Sequence, residues 1–259
     1  MLQPPVKNPL LELALRAANE AGRVILEHYR DHPDTRLKED GSPLTIADRR
    51  SHEVIRDLLS ESGIPLVSEE GDHSLQQAER YWLVDPLDGT KDFLACNDEF
   101  VVNIALIEGD YPVLGVMLAP ALNELYCCGP GESVWSVRNG KTSVIGTADR
   151  SSELSMAVSR FHNSAASGLF AEQNDVKKMM PVGSALKFGR IALAEIDLYL
   201  RQVGTSEWDT AAGQAILEAA GGSVTDLATG ERLRCGKEGR RNRPFVAMRA
   251  PYRFEEFRY

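Results

Sequence analysis

The sequence has few of the features that mark several large classes of protein. It contains only four cysteines, Cys96, Cys127, Cys128 and Cys235, and none of them is spaced as Cys-x-x-Cys. A zinc site or a disulfide framework is therefore not expected, and a reducing cytoplasm fits this use of cysteine. No apolar run approaches the length that spans a membrane, and the start Met-Leu-Gln-Pro-Pro has no secretory pattern. We expect a cytoplasmic protein without a transmembrane segment, and peripheral membrane association stays open.

The sequence also has fewer basic than acidic residues. The 259 residues include 29 Lys and Arg against 38 Asp and Glu, which gives a formal net charge of −9. A general nucleic-acid binder normally has a basic surface, so polymeric nucleic acid is not an expected partner. A small anionic substrate remains compatible, because local positive charge or a metal ion can override the overall balance. The 43% of hydrophobic residues is typical of a globular protein with one large domain or two modest ones.

The most informative stretch is 81–90, which reads Tyr-Trp-Leu-Val-Asp-Pro-Leu-Asp-Gly-Thr. Its apolar start predicts a buried strand that ends at Val84, because Pro86 has no N–H for a central ladder. Asp85 and Asp88 then flank a tight turn. Two such carboxylates repel one another unless a cation or a proton lies between them, and their oxygens suit Mg²⁺. An Asp-Pro…Asp-Gly turn that only caps backbone amides uses the same residue types, so both readings stay open here.

Three other acidic residues lie where predicted strands end or helices begin. Asp48 falls in the first turn of a helix predicted over 45–61, a position that the helix dipole alone also favours. Glu69 follows a short apolar strand, just as Asp85 does. Asp209 lies in the first turn of a helix predicted over 208–220, which Gly-Gly closes. Oxygen ligands for two or three divalent ions would need positions of this kind.

The remaining pattern changes near residue 150. Before it, three β-rich runs predict an antiparallel meander, and Asn139-Gly140 predicts a hairpin. After it, strands alternate with helices, so we predict an N-terminal domain over 1–150 and a C-terminal domain over 151–259. The predicted elements also include a helix over 10–29, a polar loop over 31–43, strands over 101–108, 112–119, 124–128, 154–159, 196–201 and 243–248, and helices over 164–171 and from 182 onward.

Two of these stretches resemble the signatures of one family. Trp82-Leu83-Val84-Asp85-Pro86-Leu87-Asp88-Gly89-Thr90 is similar to the first signature of the inositol monophosphatase superfamily, whose members are lithium-sensitive phosphatases. Trp208-Asp209-Thr210-Ala211-Ala212-Gly213, running on to Ala220-Gly221-Gly222, is similar to the second. The resemblance implies an α+β / α/β fold, a layered αβαβα sandwich of the inositol monophosphatase / fructose-1,6-bisphosphatase type.

Within the superfamily, two segments resemble the 3′(2′),5′-bisphosphate nucleotidase group. These are Thr90-Lys91-Asp92-Phe93 and Gly183-Ser184-Ala185-Leu186-Lys187-Phe188. Asp92 stands where the group usually has Glu, and Ala95 stands where a polar or basic residue is common. Neither departure touches an implied metal ligand, so they bear on substrate preference and not on the chemistry.

The resemblance also implies a role for each matching residue. Two to three Mg²⁺ ions would be held by Glu69, Asp85, the backbone carbonyl of Leu87, Asp88 and Asp209. Asp48 and the Thr90 hydroxyl would act as the catalytic pair that orients the attacking water for an in-line displacement. The implied substrate-binding residues are Glu69, Asp88, Gly89, Thr90, Lys91, Gly183, Ser184, Lys187, Arg201 and Asp209. Lys187, Arg190 and Arg201 are candidates for a second phosphate, although Lys187 and Arg190 are equally well explained as solvated helix residues.

The implied reaction removes the 3′-phosphate of adenosine 3′,5′-bisphosphate to give AMP, with its sulfated precursor as a second substrate. The alternative within the superfamily is an inositol-1-phosphate or other sugar-phosphate phosphatase. A non-enzymatic module in which metal only stabilises the fold is a third hypothesis. Asp88-Gly89-Thr90 also matches the haloacid-dehalogenase motif, but Pro86 occupies the position of its nucleophile, which excludes that reading. The partner is then a small phosphate ester, and we expect a monomer or a homodimer.

Overall fold

The computed structural model describes residues 2–29, 36–37, 43–71, 78–161, 165–202 and 204–259. Most of the predicted loop over 31–43 lies outside the described residues. Within them the helices are α1 Pro9–His28, α2 Ile46–Leu59, α3 Thr90–Leu94, α4 Ala165–Gln173, α5 Leu186–Ala192 and α6 Ala211–Ala219. The strands are β1 Arg36–Leu37, β2 Pro43–Leu44, β3 Leu66–Ser68, β4 Arg80–Asp88, β5 Val101–Glu108, β6 Tyr111–Ala119, β7 Glu124–Cys128, β8 Trp135–Arg138, β9 Lys141–Val144, β10 Ser155–Ser159, β11 Lys178–Val182, β12 Leu198–Arg201, β13 Ser223–Asp226 and β14 Phe245–Met248. Short 3₁₀ turns are found at Ser60–Ser62, Glu238–Arg240 and Phe254–Glu256.

The longer described strands form two sheets. The first has seven strands in the order β3-β4-β5-β6-β7-β8-β9, and it is antiparallel except for the parallel pair β3–β4. The second has five strands in the order β11-β10-β12-β14-β13, with β10 parallel to both of its neighbours. The meander and the Asn139-Gly140 hairpin are thereby confirmed.

Helices cover both sheets and separate them. α1 and α2 pack on the outer face of the first sheet, where Leu15 and Ile55 share a core with Trp82 of β4. α5 and α6 lie between the sheets, where Phe188 and Ile216 belong to a second core. Phe170 of α4 packs with apolar residues on the outer face of the second sheet. The layers therefore run αβαβα, and the predicted fold class is confirmed.

α6 packs closely against the first sheet at Gly115 and against α5 at Gly213. A Cβ atom added at Gly115 of β6 would lie 2.4 Å from the carbonyl oxygen of Ala212. A Cβ atom added at Gly213 would lie 2.4 Å from the ring of Phe188. Both distances are far below normal van der Waals contact, so these two positions require glycine for space. Gly115 lets the start of α6 approach the first sheet, and Gly213 lets α6 approach α5.

Two local predictions are wrong. The central strand does not end at Val84, because β4 continues to Asp88. Asp85 pairs with Asn103 and Asp88 pairs with Val101, with a register shift between them, so the strand bulges around Pro86 instead of stopping. α6 begins at Ala211 with Thr210 as its cap, so Asp209 precedes the helix and does not lie in its first turn. Strands β11 and β13 were not predicted.

The two sheets follow the predicted change of pattern along the chain. The first sheet ends at Val144 and the second begins at Ser155. Residues of both sheets nevertheless share one core with α5 and α6, for example Met117 and Phe245. The division into domains 1–150 and 151–259 stays a prediction. Among the described residues, no helix is both long enough and apolar enough to span a membrane.

Candidate metal centre

The parallel pairing of β3 and β4 brings two acidic residues to one edge of the first sheet. Ser68 pairs with Val84, and the N–H of Glu69 donates to the carbonyl of Val84 at 3.1 Å. Parallel strands have their carboxyl ends at the same edge, so Glu69 lies beside Asp85. The Asp85 carboxylate accepts from the N–H of Leu87 at 3.0 Å, which fixes it within the bulge.

Asp209 reaches the same point from the second half of the chain. Carboxylate oxygens of Glu69, Asp85 and Asp209 all lie within 4.8 Å of one another. Burial raises the pKa of Asp85 well above its ordinary value, and the charges of Glu69, Asp88 and Asp209 raise it further. Burial likewise raises the pKa of Asp209, with added repulsion from Asp88 and Glu69. A close group of oxygen ligands whose charges oppose one another fits a hard divalent cation such as Mg²⁺.

Asp88 lies next to this group and is held from the other side. Its Oδ2 accepts a hydrogen bond from the N–H of Ala185, and Nδ2 of Asn103 lies 3.4 Å away. Burial raises the pKa of Asp88 to about 6, although the Ala185 N–H and the charge of Lys187 act in the opposite direction. The structure therefore brings all four predicted carboxylates together, with Asp88 bridging to the loop before α5.

Asp48 serves as a helix cap and also faces the site. It is buried, and its Oδ2 accepts from the N–H of Thr45 at 2.7 Å and from the Thr45 hydroxyl at 2.6 Å. Its Oδ1 lies 3.4 Å from the hydroxyl oxygen of Thr90, which is also 3.4 Å from the carbonyl of Leu87. Gly89 reaches a φ of 92° in the turn that presents Thr90 to this pair.

The acidic residues border a cleft of about 350 Å³ between the two sheets. Lys187 lines it and is buried, and its Nζ donates to the carbonyl of Ser184 at 2.7 Å. Burial lowers the pKa of Lys187 to about 8. Arg201 also lines the cleft and donates from Nη1 to the hydroxyl of Ser159 at 2.8 Å. The predicted site residues that line this cleft are Glu69, Asp85, Leu87, Asp88, Gly89, Thr90, Lys91, Gly183, Ser184, Lys187, Arg201 and Asp209.

Arg190, the third basic candidate for a second phosphate, is engaged elsewhere. Its guanidinium pairs with Glu124 at 2.9 Å and with Glu195 at 3.5 Å, and it donates to the hydroxyl of Tyr126 at 3.0 Å. Glu124 and Tyr126 lie on β7 and Glu195 follows α5, so Arg190 ties α5 to the first sheet and has a structural explanation.

Several cleft residues were missed by sequence reasoning. Arg160 and Phe161 line the cleft immediately after β10, and Phe161 is 46% exposed. Their position after a strand is the same signal that identified Glu69, so they could have been found. Tyr199 and Arg241 line the cleft too, and no local pattern marks either of them.

Comparison with known proteins gives the same picture over nearly the whole chain. The Inositol monophosphatase family model matches residues 6–248. The chain is 40% identical over 224 residues to the 3′(2′),5′-bisphosphate nucleotidase CysQ of Shigella flexneri, covering 84% of this chain and 90% of that protein. The crystal structure of CysQ from Bacteroides thetaiotaomicron superposes with a TM-score of 0.82 at 34% identity, covering 93% of this chain and 97% of that one. An IMPase from Thermotoga maritima superposes with a TM-score of 0.74 at 25% identity, covering 92% and 91%.

The match spans both sheets, both sequence signatures and the acidic cleft between them. This chain belongs to the inositol monophosphatase family.

Proposed function

We propose that this chain is a Mg²⁺-dependent 3′(2′),5′-bisphosphate nucleotidase that hydrolyses the 3′-phosphate of adenosine 3′,5′-bisphosphate to AMP and phosphate. The observation that carries the proposal is the 40% identity, over 84% of the chain, to a nucleotidase of that name. The composition of the cleft supports the proposal, because the acidic candidate ligands share it with a basic wall. This basic wall consists of Arg160, Lys187, Arg201 and Arg241. The sulfated precursor of the same nucleotide is a second candidate substrate.

The metal ligands in this proposal are all oxygen donors. Two to three Mg²⁺ ions would be held by Glu69, Asp85, the carbonyl of Leu87, Asp88 and Asp209. Burial, and then repulsion from the neighbouring carboxylates, raises the pKa of Asp85 and of Asp209, and a divalent cation would relieve that repulsion. When bound, such ions lower the pKa of the attacking water and stabilise negative charge on the leaving oxygen.

Asp48 and Thr90 would orient the attacking water. The Thr90 hydroxyl donates to Oδ1 of Asp48 and keeps a lone pair that accepts a proton from the water. That proton passes to the Thr90 oxygen as the hydroxyl's own proton moves to Oδ1 of Asp48. Thr45 engages the other carboxylate oxygen with two donors, so the Asp48 carboxylate is held in one orientation.

The basic wall would bind the phosphate that is not hydrolysed. Arg201 lines the cleft, so a phosphate oxygen bound there would add a charged hydrogen bond to its guanidinium. Lys187, with a pKa of about 8, is mostly charged at neutral pH and stands on the same wall. The backbone at Gly89–Lys91 and at Gly183–Ser184 would line the substrate on either side.

A steady-state assay of phosphate release tests the proposal. We expect kcat/KM with Mg²⁺ to be at least about tenfold higher for adenosine 3′,5′-bisphosphate than for inositol 1-phosphate, since a second phosphate adds charged hydrogen bonds of roughly 1.5–3 kcal/mol. A preference for inositol 1-phosphate would favour the sugar-phosphate alternative instead. Stabilisation by Mg²⁺ without any turnover would favour the non-enzymatic module.

Three further expectations accompany this proposal. Millimolar lithium should inhibit, as the family resemblance implies, and insensitivity would count against a third metal position. The cytoplasmic location stays a prediction, and so does the choice between monomer and homodimer.

A further inference from the structure

A fully buried carboxylate lies two residues before Asp209 and is turned away from the acidic group. Both oxygens of Glu207 are engaged by donors from the segment 236–242, which we call the strap. Oε2 accepts from the N–H of Gly236 at 3.0 Å and from Nη1 of Arg240 at 3.2 Å. Oε1 accepts from the N–H of Lys237 at 2.8 Å and forms an ion pair with Nζ of the same residue at 3.1 Å. With four donors in place, Glu207 is a member of a structural network and not a further metal ligand.

Through Arg240 this network reaches β4, the strand that carries Asp85 and Asp88. Nη1 of Arg240 donates to the hydroxyl of Tyr81 at 2.8 Å, and its guanidinium lies 4.9 Å from the centre of the Tyr81 ring. Tyr81 precedes Asp85 by four residues on β4, so both side chains face the same side of the sheet. Glu207 is thereby linked, through Arg240 and Tyr81, to the strand that carries Asp85.

The strap also holds the backbone of the loop that bears Asp209. The N–H of Glu207 donates to the carbonyl of Arg240 at 2.8 Å, and Nδ2 of Asn242 donates to the carbonyl of Ser206 at 2.6 Å. The N–H of Ser206 in turn donates to Oδ2 of Asp209 at 2.8 Å. The orientation of the Asp209 carboxylate therefore depends on a loop whose own position depends on the strap.

Asp209 needs the support of the strap because it lies outside any helix and faces the negatively charged carboxylates of the acidic group. Carboxylate oxygens of Glu69, Asp85 and Asp209 lie within 4.8 Å of one another, so without a cation the other two repel Asp209. A loop that yielded to this repulsion would have to be reordered each time a metal ion bound, and reordering weakens binding. Outer groups that orient metal ligands avoid this loss.

We propose that Glu207 is a positioning residue that, acting through Arg240, holds Asp209 at the spacing from the first-sheet acids that suits Mg²⁺. The inference rests on the metal binding in the proposed function but not on the identity of the substrate. It assigns to the strap a role in metal affinity in addition to its role in the fold.

Calorimetric titration of the metal-free protein with Mg²⁺ alone tests this inference. In Glu207→Gln, which keeps the shape but removes the charge, we expect the Kd for Mg²⁺ to rise about 10- to 100-fold, the range typical for losing an outer-shell partner. The KM for adenosine 3′,5′-bisphosphate at saturating Mg²⁺ should stay within about twofold of wild type, because the substrate contacts are unchanged.

Asp197→Asn provides a matched control. Asp197 is also fully buried, pairs with Nη2 of Arg249 at 2.8 Å and accepts from the N–H of Ser155 at 2.8 Å. It comes just before β12, at the end of the strand opposite Arg201, which lines the cleft. This variant should lose thermal stability as Glu207→Gln does, because both weaken a buried ion pair. Its Kd for Mg²⁺ should stay within about twofold of wild type, because nothing near the metal centre is altered.

Tyr81→Phe tests the same network with a smaller change and decides the matter if Glu207→Gln does not fold. It removes only the hydroxyl that Arg240 contacts, and we expect the Kd for Mg²⁺ to rise about two- to fivefold, in line with the loss of one hydrogen bond. If both residues act through Arg240, their effects are coupled. The fold-rise in the Kd for Mg²⁺ of the double variant should then be smaller than the product of the two single-variant fold-rises.

The outcomes separate the inference from the proposed function. A Mg²⁺ Kd that is unchanged in Glu207→Gln, or that rises equally in Asp197→Asn, would overturn the positioning role. An unchanged Kd in Tyr81→Phe would do the same where only that variant folds. A wild-type protein that binds Mg²⁺ but hydrolyses no phosphate ester would overturn the proposed function and leave the role of Glu207 intact.

Discussion

The two halves of the chain contribute opposite charges to the walls of one cleft. Among the described residues that line it, the first half supplies the acidic side chains of Glu69, Asp85, Asp88 and Asp92, together with Lys91. The second half supplies Arg160, Lys187, Arg201 and Arg241, and Asp209 is its single acidic contribution. One wall is thus equipped to hold cations and the other to hold an anion.

The walls differ in how their charges are compensated within the protein. Asp85 is buried among like charges, and its pKa is raised as a result. Arg160, in contrast, already pairs with Glu99 at 2.6 Å. The acidic wall therefore opposes folding until a cation binds, whereas Arg160 and Lys187 of the basic wall each have a hydrogen-bond acceptor within the protein. This difference predicts that changes in the acidic wall act on turnover and stability in opposite directions, and that changes in the basic wall act on substrate binding.

Asp85→Asn should have the largest effect. Loss of a ligand shared by the metal group removes several kcal/mol of transition-state stabilisation, so we expect turnover to fall by roughly a thousandfold or more. The metal-free protein should nevertheless melt at a higher temperature than wild type, because one member of a repelling, buried group has lost its charge. Turnover near the wild-type level would refute the assignment of Asp85 as a ligand. A lower melting temperature would refute the repulsion argument.

Arg201→Met removes a charge from the basic wall, so it should change mainly the KM. Removing a charged donor to phosphate should raise the KM for adenosine 3′,5′-bisphosphate by roughly 10- to 100-fold, with a much smaller change for a substrate that has one phosphate. Arg190→Met is the control, since its guanidinium pairs with Glu124 and Glu195 instead of lining the cleft. Equal changes in KM for both variants, or for both kinds of substrate, would contradict the assignment of Arg201 to the second phosphate.

The free energy of unfolding should depend on pH because of the carboxylates in the acidic wall. The pKa of Asp88 is raised from 3.8 to about 6 in the folded protein, so the folded state holds a proton more tightly than the unfolded state. Its contribution is therefore most favourable below its ordinary pKa and is lost as the pH rises through about 6. Asp85 and Asp209 shift in the same direction.

Melting curves with excess chelator and with excess Mg²⁺ measure this contribution. Between about pH 5 and pH 7 the stabilisation by Mg²⁺ should increase, because protons compete with the cation for the same oxygens. In Asp85→Asn the increase should be smaller. A stabilisation that stays constant over this range in the wild-type protein would contradict the predicted protonation of the acidic wall.

Thr45→Val should have the smallest effect. Loss of the cap should lower the free energy of unfolding by about 1 kcal/mol. It should also lower kcat by roughly threefold to tenfold, because the Asp48 carboxylate loses one of the donors that hold it. Asn8→Ala is the matched control: Asn8 caps α1 through the N–H groups of Leu10 and Leu11, so it should lose similar stability without a change in kcat. Equal kcat values in the two variants would show that Thr45 matters only for the helix.

The acidic wall could be predicted from sequence because its signal is local. An apolar run that ends in a carboxylate marks both Glu69 and Asp85, and the structure places the two side by side. The strand end was placed too early because Pro86 is accommodated by a bulge, which sequence alone does not distinguish from termination. β11 escaped prediction because Lys-Met-Met-Pro-Val is a mostly exposed edge strand that shows no alternation of apolar and polar residues.

The basic wall and the strap could not be predicted in the same way. Arg241 and Tyr199 line the cleft only because the two sheets pack against the same helices. No sequence pattern near either residue predicts that position. Glu207 is next to a recognisable signature, yet its partners lie about thirty residues away in an irregular segment. The distinction between a ligand and its support is thus a property of the tertiary structure.

The close contact of α6 with the first sheet has a consequence for how this protein tolerates change. Asp209 stands just ahead of α6, and Asp85 is fixed to the sheet on which that helix rests. A methyl group introduced at Gly115 would act as a wedge beneath the helix, since it would meet the backbone of Ala212 at 2.4 Å. We therefore expect a larger residue at Gly115 to widen the gap between the carboxylates of Asp85 and Asp209, and so to raise the Mg²⁺ concentration needed to half-saturate the proposed site.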